Sequence, residues 1–290
     1  MCKDLRFQFR VEFTEEASIR LDVIGSGVAL SWVLDLDGVV WRGNEAISGS
    51  SEAIARLTKL GESVYFVTNN SILTPSQYVD KMKSFGIGVR NDQIFTSAQA
   101  AALLLDPLAK VFVIGGGVGV RQAVEERGIT VVDDASKADA VILGWDPAIS
   151  FEKITSAMRA VRAGAQFIAT NADPTYPNPD GLLPGTGSLA AVVAVASGVE
   201  PVFAGKPNPA IVSLISPYLT GEDIMVGDRL STDGEFARVL GAHFGLVLSG
   251  VYEPFGNEDF AKTATIAPNL LAMVELFEKN LSLPCGDFSN

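Results

Sequence analysis

Histidine and cysteine are almost missing from this 290-residue chain, which has one histidine, His243, and two cysteines, Cys2 and Cys285. A His-rich zinc or iron site and a His–His acid/base pair are therefore excluded, and two cysteines near opposite ends exclude a Cys-based zinc site. They also exclude a disulfide framework and suit a reducing compartment. His243 lies in the run LGAHFGLVLS, which reads as a buried turn and strand, so its expected role is structural. Positive charge is scarce as well: 22 Lys and Arg against 34 Asp and Glu leave a net charge of −12. Such a surface repels nucleic acid and anionic lipid, and the short basic stretch Arg6–Arg10 does not change that. Long apolar runs are lacking too. The longest uncharged stretch, Gly181–Val199, has its apolar part in Leu189–Ala196, far short of the ~20 residues that span a bilayer. No apolar targeting segment opens the chain. The expectation is a soluble, cytoplasmic protein with neither a nucleic-acid nor a membrane partner, whose catalysis rests on Asp, Glu, Lys, Ser, Thr or a hard metal ion.

What is present is a repeated strand–helix grammar. Residues 1–27 stand apart as an N-terminal extension, in which Leu5, Phe7, Phe9, Val11 and Phe13 alternate like a half-exposed strand before Gly25 and Gly27 break the chain. From Val28 on, apolar strands at Val28–Leu36, Val64–Thr68, Lys110–Ile114, Ile129–Val132, Ala140–Leu143, Gln166–Thr170, Val202–Ala204, Ile224–Val226 and Phe244–Leu248 are separated by helical periods. Thr74 and Pro75 are an N-cap and first helical residue. Continuous apolar strands alternating with helices predict an α/β protein with a Rossmann-like parallel sheet covered on both faces.

Four strand ends carry polar groups of the kind chemistry needs. Asp35 and Asp37, in DLDG, are two carboxylates at i and i+2, which share one face of a strand, and Gly38 lets the chain turn. Val64–Ser71 (VYFVTNNS) ends in Thr68, Asn69, Asn70 and Ser71, which can cradle an anion or form Asx turns. Ala204–Pro209 (AGKPNP) holds Lys206 in a stiff loop. Val226–Asp233 (VGDRLSTD) adds Asp228 and Asp233, and oxygen ligands suit a hard cation. Singly, each has an ordinary reading as a turn or a solvated group. Together they are expected to converge on one edge of one sheet, where open parallel sheets place their ligands. Four carboxylates with one lysine would repel, and a Mg²⁺ ion with a bound phosphate would reconcile them.

In this order, DLDGVVW, VTNNS, GKPNP and GDRLSTD resemble the haloacid-dehalogenase superfamily of phosphohydrolases, in particular its NagD/p-nitrophenylphosphatase branch. FTSAQ, FVIGG, ATNADPTYP and PGTGSL add to the likeness, which covers about residues 30–255. The resemblance implies Asp35 as nucleophile, Asp37 as general acid/base, Thr68 as a ligand of the transferring phosphoryl group and Lys206 as its anchor. It implies Gly38, Asn69 and Asn70 in phosphate binding. Mg²⁺ would be held by Asp35, Asp228 and the backbone carbonyl of Asp37, with Asp233 supporting it or joining as an occasional ligand. The reaction implied is hydrolysis of a small phosphate ester through an aspartyl-phosphate.

The stretch from Thr68 to Lys206 is much longer than a helix–strand–helix crossover needs, leaving roughly 90 residues by usual element lengths. These are expected to form an inserted α/β cap at 96–186, with the core at 28–95 and 187–290. Tyr176, with Asp173 and Asn178, is a candidate to face the leaving group, against a plain reading of Asn171–Asp180 as a linker. The resemblance leaves open a homo-oligomer formed through the cap. Two other functional readings compete. Gly115–Gly119, between a strand and a helix, with Asp133 ending the next strand, imitates half of a dinucleotide fingerprint for an NAD(P)-linked oxidoreductase, although Gln122 stands where the third glycine belongs. A non-catalytic phospho-ligand binding protein on the same scaffold is the other.

Overall fold

The computed structural model describes residues 30–178, 181–250 and 264–281; the expected extension at 1–27 lies outside them. In chain order the elements are β1 (Ser31–Leu34), β2 (Trp41–Arg42), β3 (Glu45–Ala46), α1 (Ser50–Leu60), β4 (Ser63–Thr68), α2 (Pro75–Ser84), β5 (Ile94–Thr96) and α3 (Ser97–Leu103). Next come β6 (Lys110–Ile114), α4 (Gly119–Glu125), β7 (Thr130–Val132), β8 (Ala140–Leu143), α5 (Phe151–Arg162), β9 (Gln166–Ala169), β10 (Thr175–Asn178) and β11 (Gly181–Pro184). The chain ends with α6 (Thr186–Ser197), β12 (Val202–Phe203), α7 (Pro209–Ile215), β13 (Asp223–Gly227), α8 (Glu235–Leu240), β14 (His243–Val247), β15 (Thr265–Ala267) and α9 (Leu270–Leu281). The caps explain several boundaries. Thr74 and Gln77 form a reciprocal capping box with Pro75 in the first turn of α2, and Gly61 ends α1 at φ 85°.

Two parallel sheets result. The first has the order β15-β14-β13-β1-β4-β5 and the second β12-β9-β8-β6-β7. In the first, the chain leaves β1 toward β4 and β5 and later returns through β13 toward β14 and β15. The order therefore reverses between β1 and β13, the crevice where such sheets bind ligands. Asp35 follows β1 and Asp228 follows β13, so the two motifs meet at that point.

The second sheet corrects two expectations. β12 pairs with β9, and α6 packs Ala190, Val193 and Ala194 into the outer layer of the second sheet with α5. The sheets thus divide the chain after Phe203 rather than at Thr186. Lys206 accordingly reaches the site from the second sheet, so the four motifs do not share one sheet edge. The stretch weighed above as a linker is more regular: β10 pairs with β11 in antiparallel fashion, Tyr176 opposite Leu183.

The two sheets share a buried cluster. Val33, Val67 and Met225 of the first sheet and Val111, Ile142 and Ile168 of the second belong to it, joined through Ala100–Ala102 of α3 and Ile211 and Ile215 of α7. The Gly115–Gly119 loop has its own task in this packing. Gly119 N–H donates to Ile72 O at 2.9 Å, and Gly116 N–H to Trp145 O at 2.8 Å. A Cβ on Gly119 would lie within 2.9 Å of the carbonyl oxygens of Ser71, Ile72 and Leu73. The glycines admit the 71–73 segment of the first unit into the crevice that a dinucleotide would need, which overturns the oxidoreductase reading. Gly119→Ala should destabilise the protein: overpacking costs about 1–3 kcal/mol, against about 1 kcal/mol gained by alanine in a helix. A thermal melt should show Tm lowered by a few degrees, and a raised Tm would contradict this docking.

Candidate active site

The site lies where the C-terminal strand ends of the two sheets face each other. Asp35, directly after β1, is held by its N–H to Val226 O at 2.9 Å. Lys206 is 3 % exposed, and its ammonium donates to Asp35 Oδ1 at 2.5 Å and to Asp233 Oδ1 at 2.7 Å. Asp233 Oδ2 accepts from the N–H groups of Asp228 and Arg229, each at 3.2 Å. Asp233 therefore braces both the lysine and the turn that carries Asp228. A π-type turn over Leu230–Gly234 brings Asp233 back to that position.

The electrostatics follow from burial. Desolvation, with Asp233 and Asp228 nearby, pushes the Asp35 carboxyl well above the usual carboxylate range against the pull of Lys206. Burial works against the charge of Lys206, yet Asp233 and Asp35 together hold its pKa above the ordinary lysine value. Burial also raises Asp37, opposed by Lys81 and by the hydrogen bond from Trp41. Asp35, Asp228 and Asp233 each offer an oxygen within 4.8 Å of the others. An all-oxygen set with more negative than positive charge fits a hard dication. Close approach of the Asp37–Gly38 turn to these groups depends on Gly38. It has φ 94°, and a Cβ there would lie 2.5 Å from Asp228 Oδ2.

The second strand end is arranged differently from its sequence appearance. Thr68 is buried and accepts from Asn70 N–H at 3.1 Å. The Asn69 amide clamps the lysine loop. Its Oδ1 accepts from Lys206 N–H at 2.7 Å, and its Nδ2 donates to Lys206 O at 3.3 Å and to Asp173 Oδ2 at 3.2 Å. Asn70 Nδ2 donates to the Tyr176 hydroxyl at 3.3 Å, and its Oδ1 accepts from Ile72 N–H at 3.1 Å. The Gly38 N–H donates to Trp41 O at 2.7 Å. The side chain of Asn69 and the N–H of Gly38 thus position the loops.

The second unit reaches the site through its hairpin. Tyr176 stacks on Trp145 with ring centroids 4.1 Å apart, and Trp145 Nε1–H donates to Pro184 O at 2.8 Å. Burial and the neighbouring Asp37 push the Tyr176 hydroxyl up to about 12. Asp173 faces Asn69 and lies in the field of Arg229, with burial raising its carboxyl. Asn178 sits farther along β10, paired with Gly181. His243 is half-buried at the start of β14, the strand end remote from the site, and shares a hydrogen bond with Thr265 at 2.8 Å.

Sequence reasoning passed over several residues. Trp41 donates from Nε1 to Asp37 Oδ1 at 2.9 Å; it stands inside the DLDGVVW motif, so its place after the Gly38 turn was a signal. Ser97 Oγ–H and Asn171 Nδ2–H both donate to Asn69 O, at 2.6 and 2.7 Å. Their separation in the chain gave no spacing to read.

Comparison with known proteins agrees with this geometry. Residues 32–130 match the haloacid dehalogenase-like hydrolase family, and residues 203–273 a second HAD-hydrolase-like family. The chain belongs to the haloacid dehalogenase-like hydrolases. It is 42 % identical over 208 residues to the 5'-nucleotidase YutF of Bacillus subtilis, covering 70 % of this chain and 80 % of that protein. The p-nitrophenyl phosphatase of Archaeoglobus fulgidus superposes with a TM-score of 0.77 at 30 % identity, over 85 % of this chain and 98 % of the other. The glycerol phosphate phosphatase Rv1692 of Mycobacterium tuberculosis, solved in complex with magnesium, gives 0.75 at 30 % identity, over 84 % and 75 %. These likenesses put the chain in the NagD-like, p-nitrophenylphosphatase branch of the family.

Lys206 is the only lysine or arginine to which Asp35 and Asp233 bond among the described residues. Lys206→Met should leave buried carboxylates uncompensated and cost about 3–5 kcal/mol in metal-free protein. Urea unfolding measures this, and an unchanged midpoint would show that the lysine does not hold the cluster together.

Proposed function

We propose that the chain is a Mg²⁺-dependent phosphomonoesterase that hydrolyses a small phosphorylated metabolite through a covalent aspartyl-phosphate on Asp35. The observation that carries this reading is the buried set of Asp35, Lys206, Asp228 and Asp233, with the Asp37 carboxyl in the field of Lys206. A binding protein needs no second carboxyl placed next to a buried, lysine-bonded one, which favours catalysis over the binding-only reading.

Asp35 attacks phosphorus, forming an acyl-phosphate bond as the ester P–O bond breaks. Asp37, protonated at this stage, gives its proton to the departing ester oxygen. Water then attacks the aspartyl-phosphate and loses a proton to Asp37, releasing inorganic phosphate and restoring Asp35. Lys206 neutralises charge on the nucleophile and the transferring group, while Thr68 takes a phosphoryl oxygen. Asp35, Asp228 and the Asp37 carbonyl would hold Mg²⁺, braced by Asp233. The ion would supply Lewis-acid stabilisation of the phosphoryl oxygens.

The second unit acts as a cap in this reading, and its Trp145–Tyr176 wall would meet the leaving group. Excluding water there protects the first step and strengthens the charge interactions. The acidic surface favours small substrates over polyanions.

Asp35→Asn should fold yet retain only background turnover of p-nitrophenyl phosphate, and wild-type turnover should stop with a chelator and return with Mg²⁺. More than a few per cent of activity in the variant would refute the nucleophile. Tyr176→Ala should lower kcat/KM about tenfold, a contact of about 1.4 kcal/mol, for the best ester in a panel of sugar phosphates, nucleotides, phosphoglycolate, glycerol phosphate and pyridoxal phosphate. The loss for p-nitrophenyl phosphate should be smaller, and equal losses would remove the hairpin from substrate selection.

A further inference from the structure

We propose that Trp41 is the positioning residue for Asp37, with its indole N–H fixing the carboxyl group that moves the proton. The inference rests on the acid/base reading of Asp37 given above. Trp41 is fully buried, and Nε1–H donates to Asp37 Oδ1 at 2.9 Å. The ring is held by α2 and by Phe85, the residue that follows it. Tyr78 stacks on it at 6.1 Å and 12°, Phe85 lies at 6.0 Å, and the Lys81 ammonium sits 4.2 Å from the ring centroid. Lys81 also donates to Gly43 O at 2.9 Å, tying the β2–β3 turn to the same helix.

The backbone closes the arrangement. Trp41 N–H donates to Leu36 O at 3.2 Å, and Trp41 O accepts from Gly38 N–H at 2.7 Å. Ring and main chain are therefore both anchored to the loop that carries Asp37. An indole N–H can only donate, and leaving it buried without an acceptor costs about 1–3 kcal/mol. Asp37 supplies that acceptor. In return the carboxyl is held in one orientation, which proton transfer to a leaving oxygen requires. A misplacement of about 1 Å can cost about 10²-fold in rate.

A residue that only packs would affect all substrates alike; one that orients an acid matters most where the leaving oxygen needs its proton. Phenyl phosphate and p-nitrophenyl phosphate present nearly the same ring, but phenolate leaves less readily without the nitro group. Trp41→Phe keeps an aromatic ring and removes the N–H. Its kcat/KM, which reports ester cleavage, should fall about tenfold or more for phenyl phosphate and less than about threefold for p-nitrophenyl phosphate, a part of the 10²–10⁴ available to an acid/base group. Inhibition by inorganic phosphate should stay within about twofold. If Trp41→Phe melts early, benzothienylalanine at the same position keeps the bicyclic volume, lacks the N–H and should give the same split. Asp37→Asn measured alongside separates two failures. Equal losses for both esters at Trp41, with Asp37→Asn discriminating between them, would overturn the positioning role alone. No discrimination by Asp37→Asn would overturn the acid/base reading, and the positioning role with it.

Discussion

The Lys206 ammonium between Asp35 and Asp233 is the contact on which the rest of the site depends. A lysine buried to this degree loses its hydration, and only two carboxylates at hydrogen-bond distance make its charge tolerable. Such a cluster is a poor stabiliser compared with apolar packing of the same volume. Its presence at the strand-order reversal between β1 and β13 marks a centre kept for chemistry. The surrounding loops serve it: Asn69 clamps the backbone of Lys206 on both sides, while the turn after β13 offers two N–H groups to Asp233.

That contact also joins the two sheets. Lys206 arrives from β12 of the second sheet, while Asp35 and Asp233 belong to the first. The counter-charge of Asp35 is thus carried by the unit that supplies the Tyr176 hairpin. The glycine loop after β6 and the shared apolar cluster through α3 and α7 hold the two strand-end faces opposed. Charge from one side and the stacked Trp145–Tyr176 pair from the other thus face the same strand ends.

Trp41 shows how a short motif carries its own support. The Gly38 turn sends the chain back so that the indole meets the carboxyl four residues earlier, and α2 grips the ring. Asp35 and Asp37 are neighbours in sequence, yet they are held by different parts of the molecule. Lys206 binds one and Trp41 the other, so hydrogen-bond partner, not residue type, sets the two carboxyls apart.

Local pattern made much of this legible. The strands Lys110–Ile114 and Ala140–Leu143 and the capped start of α2 follow from apolar runs and turn residues whose physics is local. The acidic pairs at two strand ends, the lone lysine loop and the scarcity of histidine and cysteine already pointed to oxygen-ligand chemistry on phosphate. Partnership between distant segments was not written in any local signal. A two-residue strand such as Val202–Phe203 has no period that says which sheet it joins, and its pairing with β9 is a tertiary contact. The Asn69 amide reads as a phosphate cradle in sequence, and only the approach of Lys206 and Asp173 turns it into a clamp. Spacing names the groups that can react; tertiary contacts choose their hydrogen-bond partners, because a buried donor or acceptor must be satisfied by whatever segment the fold brings to it.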